Sequence, residues 1–168
     1  MSFHEKKAII LMLTGTIILV AYCTYAYQKY QLGVIGTNDM KFWSGIILLF
    51  IGIGIVAAII IQIIFHIIHS IAVTVQERIR NGHRNEKEIQ KTIESDMVPD
   101  EMNRLIELKS IKIGFIVVAI GFVTALVSQV LDYSSAVMLN ILFLSFFAGS
   151  LSQGLAQLYF YRKGVKNA

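Results

Sequence analysis

The sequence predicts an all-α polytopic membrane protein with four transmembrane helices arranged as two hairpins, helices 2 and 3 being extended into the cytoplasm. Three observations predict it. Long apolar stretches run over residues 8–27, 44–71, 113–131 and 136–161, and about 20 helical residues at ~1.5 Å each cross a ~30 Å hydrocarbon core. The chain is 55% hydrophobic and only 15% charged, where a soluble domain averages about 25% charged. Thirteen of its fifteen Lys and Arg residues fall on one side of the four stretches. A water-soluble core of 168 residues could not bury four such segments, so the chain reads as one membrane domain solvated largely by lipid.

The first stretch follows Lys6 and Lys7, a charged start that a signal peptide would share. Its apolar run reaches about 20 residues, beyond the 7–15 of a cleaved signal, and bulky Tyr22 precedes Cys23 where lipoprotein cleavage wants a small residue. Helix 1 is therefore expected to stay in the protein. Cys23 is the only cysteine, which excludes an internal disulfide. The net charge of +4 comes from residues flanking apolar spans, as orientation signals do, and no nucleic-acid partner is expected.

With the N-terminus inside, the inner side holds Lys6, Lys7, the 72–112 connection and Arg162, Lys163 and Lys166, leaving only Lys29 and Lys41 outside. The positive-inside bias thus places both termini in the cytoplasm. Tyr22, Tyr25, Tyr27, Tyr30, Trp43 and Tyr133 fall at the outer ends of helices, and Tyr159 and Tyr161 at the inner end of helix 4, as in interfacial aromatic belts. The outer loops are 28–42, with turn residues Gly33, Gly36, Asn38 and Asp39, and the very short 132–135, which makes helices 3 and 4 antiparallel neighbours.

Helix 2 has about 30 weakly charged residues from Ser44, roughly 45 Å at helical rise, so it is expected to project inward. Gln62, His66, His69, Val73, Gln76 and Glu77 then form one helical stripe. Asn81-Gly82 reads as a break, 84–94 as a polar helix, and a new helix is expected to start near Pro99 and run through Met102, Leu105, Ile106 and Leu108 into helix 3. The connection holds eight acids against eight bases. It is either a solvated surface or a partner-docking surface carried by Arg84, Glu88, Asp100, Glu101 and Arg104.

Gly54, Gln62 and Phe65 match Gly149, Gln157 and Phe160 at one offset, and Gly15 and Tyr27 match Gly121 and Tyr133 at another. A duplicated hairpin would produce this, as would chance among apolar sequences. Small residues trace helix-packing stripes: Ser145, Gly149, Ser152 and Ala156 in helix 4, and Gly114, Gly121, Ala125 and Ser128 in helix 3. They are expected to meet within the hairpin or to form a homodimer seam.

The remaining candidates for chemistry are few. His66 and His69 share a helix face and could hold a metal or haem with His4, His83 or Glu77, act as a protonation switch, or sit as ordinary interfacial histidines. The Glu of a zinc-enzyme H-E-x-x-H is absent, since Ile67 and Ile68 stand between them. No acid or base lies at mid-membrane, which argues against a self-contained ion-coupled carrier. The polar groups there are neutral, and Gln62, Gln153 and Gln157 could line a polar path. No phosphate-binding loop or nucleophile elbow occurs, so neither a catalytic activity nor a cofactor is expected.

The stretch Asp100-Glu101-Met102-Asn103-Arg104-Leu105-Ile106-Glu107-Leu108-Lys109 and the ending Gln157-Leu158-Tyr159-Phe160-Tyr161-Arg162-Lys163-Gly164 resemble small uncharacterised four-helix integral membrane proteins of bacteria and archaea, a family of unknown function. Those proteins commonly carry an Asp-Glu-Arg-like segment before the third helix; Met102 stands here where they have Arg. The resemblance implies a prokaryotic inner-membrane protein and, because such proteins can be encoded beside helix-turn-helix regulators, a signalling role. The function expected is a regulatory or accessory subunit that contacts a cytosolic or membrane partner, or a second copy, through 76–112. A small oligomeric transporter or channel is the alternative, and metal or haem binding at His66 and His69 the weaker one.

Overall fold

The structure is a computed structural model that describes residues 3–32, 39–81, 98 and 100–164, with the side chains of 77, 78, 80 and 81 outside the description. Among the described residues, four helices follow one another: α1 (Phe3–Gln31), α2 (Met40–Asn81), α3 (Glu101–Val130) and α4 (Ser135–Lys163). Each contains an 18-residue window of mean hydropathy between 1.7 and 3.0, and only 11–22% of the residues in those windows are buried in the bundle. The remaining surface is apolar and faces outward, which water would not tolerate and lipid solvates. The protein is an all-α multi-pass membrane protein.

The helix bounds exceed the apolar stretches, because polar flanks continue the same helices. α2 is 42 residues long, about 63 Å at helical rise, so roughly half of it lies beyond a ~30 Å hydrocarbon core. Its half-buried face follows Gln62, Phe65, His66, His69, Val73 and Thr74, whereas Gln76 is exposed. The Asn81-Gly82 break, the 84–94 helix, Arg84, Glu88 and His83 lie outside the described residues, as does the side chain of Glu77.

Local chemistry sets the helix ends. The Asp39 carboxylate accepts the Phe42 N–H at 3.1 Å and starts α2. Asp100 starts α3 by accepting the Asn103 N–H at 2.6 Å. At the end of α3, Asp132 takes φ 59°, and Tyr133 N–H donates to the Ser128 carbonyl at 3.0 Å. That is the left-handed stop of a Schellman-type turn, with aspartate in the place glycine usually fills.

Two kinds of packing hold the bundle. Near the end carrying the α1–α2 and α3–α4 loops (the loop end), Ile18, Tyr22 and Ala26 of α1 meet Trp43, Ile46 and Phe50 of α2 and Ala136 and Phe143 of α4. Tyr22 is 2% exposed, its ring stands 4.4 Å from Phe143 and 5.3 Å from Phe50, and its hydroxyl donates to Asn140 Oδ1. Tyr22 and Trp43 are therefore core residues rather than members of an interfacial belt, because their rings turn inward; Tyr27, Tyr30 and Tyr133 are exposed as a belt requires.

α3 joins the bundle chiefly through α4, by backbone approach. A Cβ placed on Gly114 would stand 2.8 Å from the Gly149 carbonyl oxygen, one on Gly149 2.5 Å from Val118 Cγ2, and one on Gly121 2.0 Å from Ser145 Cβ. Only glycine fits such a seam. Ser110, Ser128 and Ser145 are buried in the same region, each with its hydroxyl donating to a carbonyl of its own helix. Ser152 is half-buried.

Candidate functional site

At the opposite end, which carries Lys6, Lys7, Arg104, Lys109, Lys112, Arg162 and Lys163 (the basic end), all four helices surround a cavity of about 400 Å³. Its wall comprises Phe3, His4, Lys7, Ala8 and Leu11 of α1, Gln62 and His66 of α2, Asn103 and Glu107 of α3, and Gln153, Gln157 and Tyr161 of α4. The placement follows from helical spacing. Gln62 and His66, Asn103 and Glu107, and Gln153, Gln157 and Tyr161 are each four residues apart, so each set forms a column on one helix face.

The wall is polar but mixed in sign. Lys7 brings a cation and Glu107 a carboxylate, with neutral amides between. The buried Nε2 of His4 has no hydrogen-bond partner among the described residues. Arg162 Nε lies 3.8 Å from Glu5 Oε1, joining the first turn of α1 to the last of α4. With its Arg 72% exposed, this pair contributes at most about 1 kcal/mol.

Gln62, Gln153 and Gln157 thus share one cavity, and His66 joins them. His69 lies outside that wall, against the Phe3 ring at 4.5 Å between centroids; Phe3 also stacks on Phe65 at 5.1 Å and touches His66 at 5.3 Å. An aromatic ring therefore covers the face that the two histidines share. Among the described residues, no three His, Cys, Asp or Glu side chains come together as metal ligands; His83 and the side chain of Glu77 lie outside the described residues.

Of the residues assigned to partner contact, Asp100 is spent capping α3. Glu101 and Arg104 line an outward groove with Leu105, Glu107, Leu108 and Ile111 on the first three turns of α3. Arg84 and Glu88 lie outside the described residues. Sequence reasoning overlooked His4, Lys7, Asn103, Glu107 and Tyr161 as wall residues. The four-residue columns on α3 and α4 were available signals, but the convergence of four separate columns is a tertiary fact.

Fold and site together define a multi-pass helical membrane protein with a polar cavity at its basic end and a packed aromatic core near its loop end. Comparison with protein-family models, with curated proteins and with solved structures returns no match.

Proposed function

We propose that the chain is a non-enzymatic regulatory or accessory subunit of a prokaryotic inner membrane, with both termini in the cytoplasm, and that its basic end receives a protein partner. The observation that carries this reading is the groove on the first three turns of α3. Leu108 and Ile111 are exposed there, Leu108 to 65%, and Glu101 and Arg104 flank them. This segment precedes the apolar stretch 113–131, and its charged residues Glu101, Arg104 and Glu107 suit a position inward of the lipid tails. Exposed apolar side chains rimmed by charge on a rigid helix suit a helix-in-groove or helix-on-surface contact. The family resemblance and its implied signalling role point the same way.

The test is quantitative affinity capture from native membranes with the wild type, with a chain lacking residues 82–96, and with Arg104→Glu/Leu108→Glu. The expected result is a partner captured by the wild type and depleted about tenfold or more by the double substitution, the loss of roughly 1.4 kcal/mol of contact energy. An identical captured set from all three chains counts decisively against the reading.

One observation favours the oligomeric transporter or channel as a second reading: Gln62, Gln153 and Gln157 share a cavity. Against it stands the core of Ile18, Tyr22, Phe50 and Phe143, which fills the bundle toward the loop end. Solute flux into liposomes separates the two readings, since the subunit reading expects permeability equal to that of empty vesicles.

A further inference from the structure

We infer that the bundle holds a membrane phospholipid, with a zwitterionic headgroup in the polar cavity and one acyl chain in an apolar cavity that adjoins it. This second cavity, of about 410 Å³, lies between α1, α2 and α4, with Gly15, Ile18, Phe50, Gly54, Ala58 and Phe147 in its wall. Leu11 lines both cavities. The two are therefore neighbours along the membrane normal, polar at the basic end and apolar toward mid-membrane. From Gln62 to Gly54 is eight residues of helix, about 12 Å of depth. A headgroup and its chain are ordered the same way.

The apolar cavity is open because side chains are missing from it. A Cβ on Gly15 would meet nothing within 4 Å, and one on Gly54 only Ile18 Cδ1 at 3.9 Å. These glycines contrast with Gly114, Gly121 and Gly149, whose hydrogens are in contact with a neighbouring helix. Inside a bilayer acyl chains are the abundant apolar molecules at that depth, and one of them suits such a space.

Chain burial gives little selectivity there, because a lipid tail leaves one hydrocarbon environment for another. Selection must come from the headgroup. Lys7 and the amide N–H groups of Gln62, Gln153 and Gln157 suit a phosphate, and the Glu107 carboxylate at the α3 side of the wall suits an ammonium. No ion pair among the described residues already satisfies Lys7 or Glu107. A purely anionic lipid would leave Glu107 facing like charge, so the pair of residues favours a phosphate ester that carries an ammonium, and a primary one can also donate N–H hydrogen bonds to the carboxylate, which a quaternary one cannot. A small soluble phosphate ester offers the same polar chemistry, and only the lipid needs the apolar cavity as well.

The experiment measures phospholipid retained per chain, by mass spectrometry, after detergent exchange. It compares wild type, Gly54→Leu, Gly15→Leu, Glu107→Gln and the control Gly52→Leu, whose position is exposed outside the cavity. All five chains are first checked for the same elution volume and helical signal, and two filling variants guard against one failing to fold. The expected result is one ethanolamine-type phospholipid per wild-type and Gly52→Leu chain, and about tenfold less in each folded filling variant. Glu107→Gln should keep the lipid but lose its headgroup preference. Retained lipid that matches the bulk membrane in composition, and that is equal in Gly54→Leu and Gly52→Leu, would overturn the inference. So would soluble phosphoethanolamine competing as well as the intact lipid. Neither result bears on partner capture by the α3 groove, so the two ideas fail separately.

Discussion

Gly121 and Gly15 look alike in sequence, each a lone glycine in an apolar helix, yet their surroundings are opposite. A methyl group on Gly121 would land 2.0 Å from Ser145 Cβ, whereas one on Gly15 would meet nothing within 4 Å. Gly121→Ala is expected to destabilise the protein by roughly 1–3 kcal/mol through overpacking of the α3–α4 seam. Gly15→Ala should be neutral or should stabilise by up to about 1 kcal/mol from helix propensity. Thermal unfolding in detergent measures both, and equal midpoints would refute the seam. The stripe of small residues was legible in the sequence from its spacing; which glycine touches a neighbour was not, because crossing geometry decides that. Tyr22 makes the same point: nothing local separates it from Tyr25 or Tyr27, and its partner Asn140 lies 118 positions away.

At the scale of the element, the helices were readable and their extensions largely so. Apolar runs located four spans, and Asp100 marked the start of α3 within a residue or two of the Pro99 expectation because N-cap chemistry is local. The end of α3 was less legible: Asp132 reads as a plain loop acid, although its backbone occupies the left-handed region. That geometry yields a prediction. Asp132→Gly should keep or raise stability by up to about 1 kcal/mol, and Asp132→Val should lower it by about 1–2 kcal/mol, because a β-branched residue is strained at positive φ. Unfolding midpoints of the two variants in one detergent check the order, and Val at or above Gly would show that the turn reorganises. The cavity wall belongs to this scale too. Each column of polar residues is visible on its own helix, but no sequence rule says that four columns face one another.

For the whole molecule, the strongest sequence signal was the lopsided basic charge, and it yields the topology proposal directly. Reporter fusions at the N-terminus and at the C-terminus should both be active as cytoplasmic reporters and silent as extracytoplasmic ones. A fusion within residues 33–38 should do the reverse, and opposite activities at the two termini would reject the proposed orientation. The internal similarity of the two hairpins has a structural counterpart only in part. α3 and α4 meet glycine to glycine, while a Cβ added to Gly54, the counterpart of Gly149, would meet only Ile18 Cδ1 at 3.9 Å. A shared ancestry would thus have left one hairpin sealed and the other parted.

The Glu5–Arg162 ion pair closes a circuit. It sets the beginning of the first helix beside the end of the last, and both hairpins leave from and return to that same end. The first turn of α1 and the last turn of α4 are thus neighbours. A polypeptide that began with α3, continued through α4, crossed a short linker into α1 and finished with α2 would cross the membrane in the same directions and make the same seam and core. The seam and the core depend on how the two hairpins pair, so a permuted chain of this order is expected to fold if the linker is long enough.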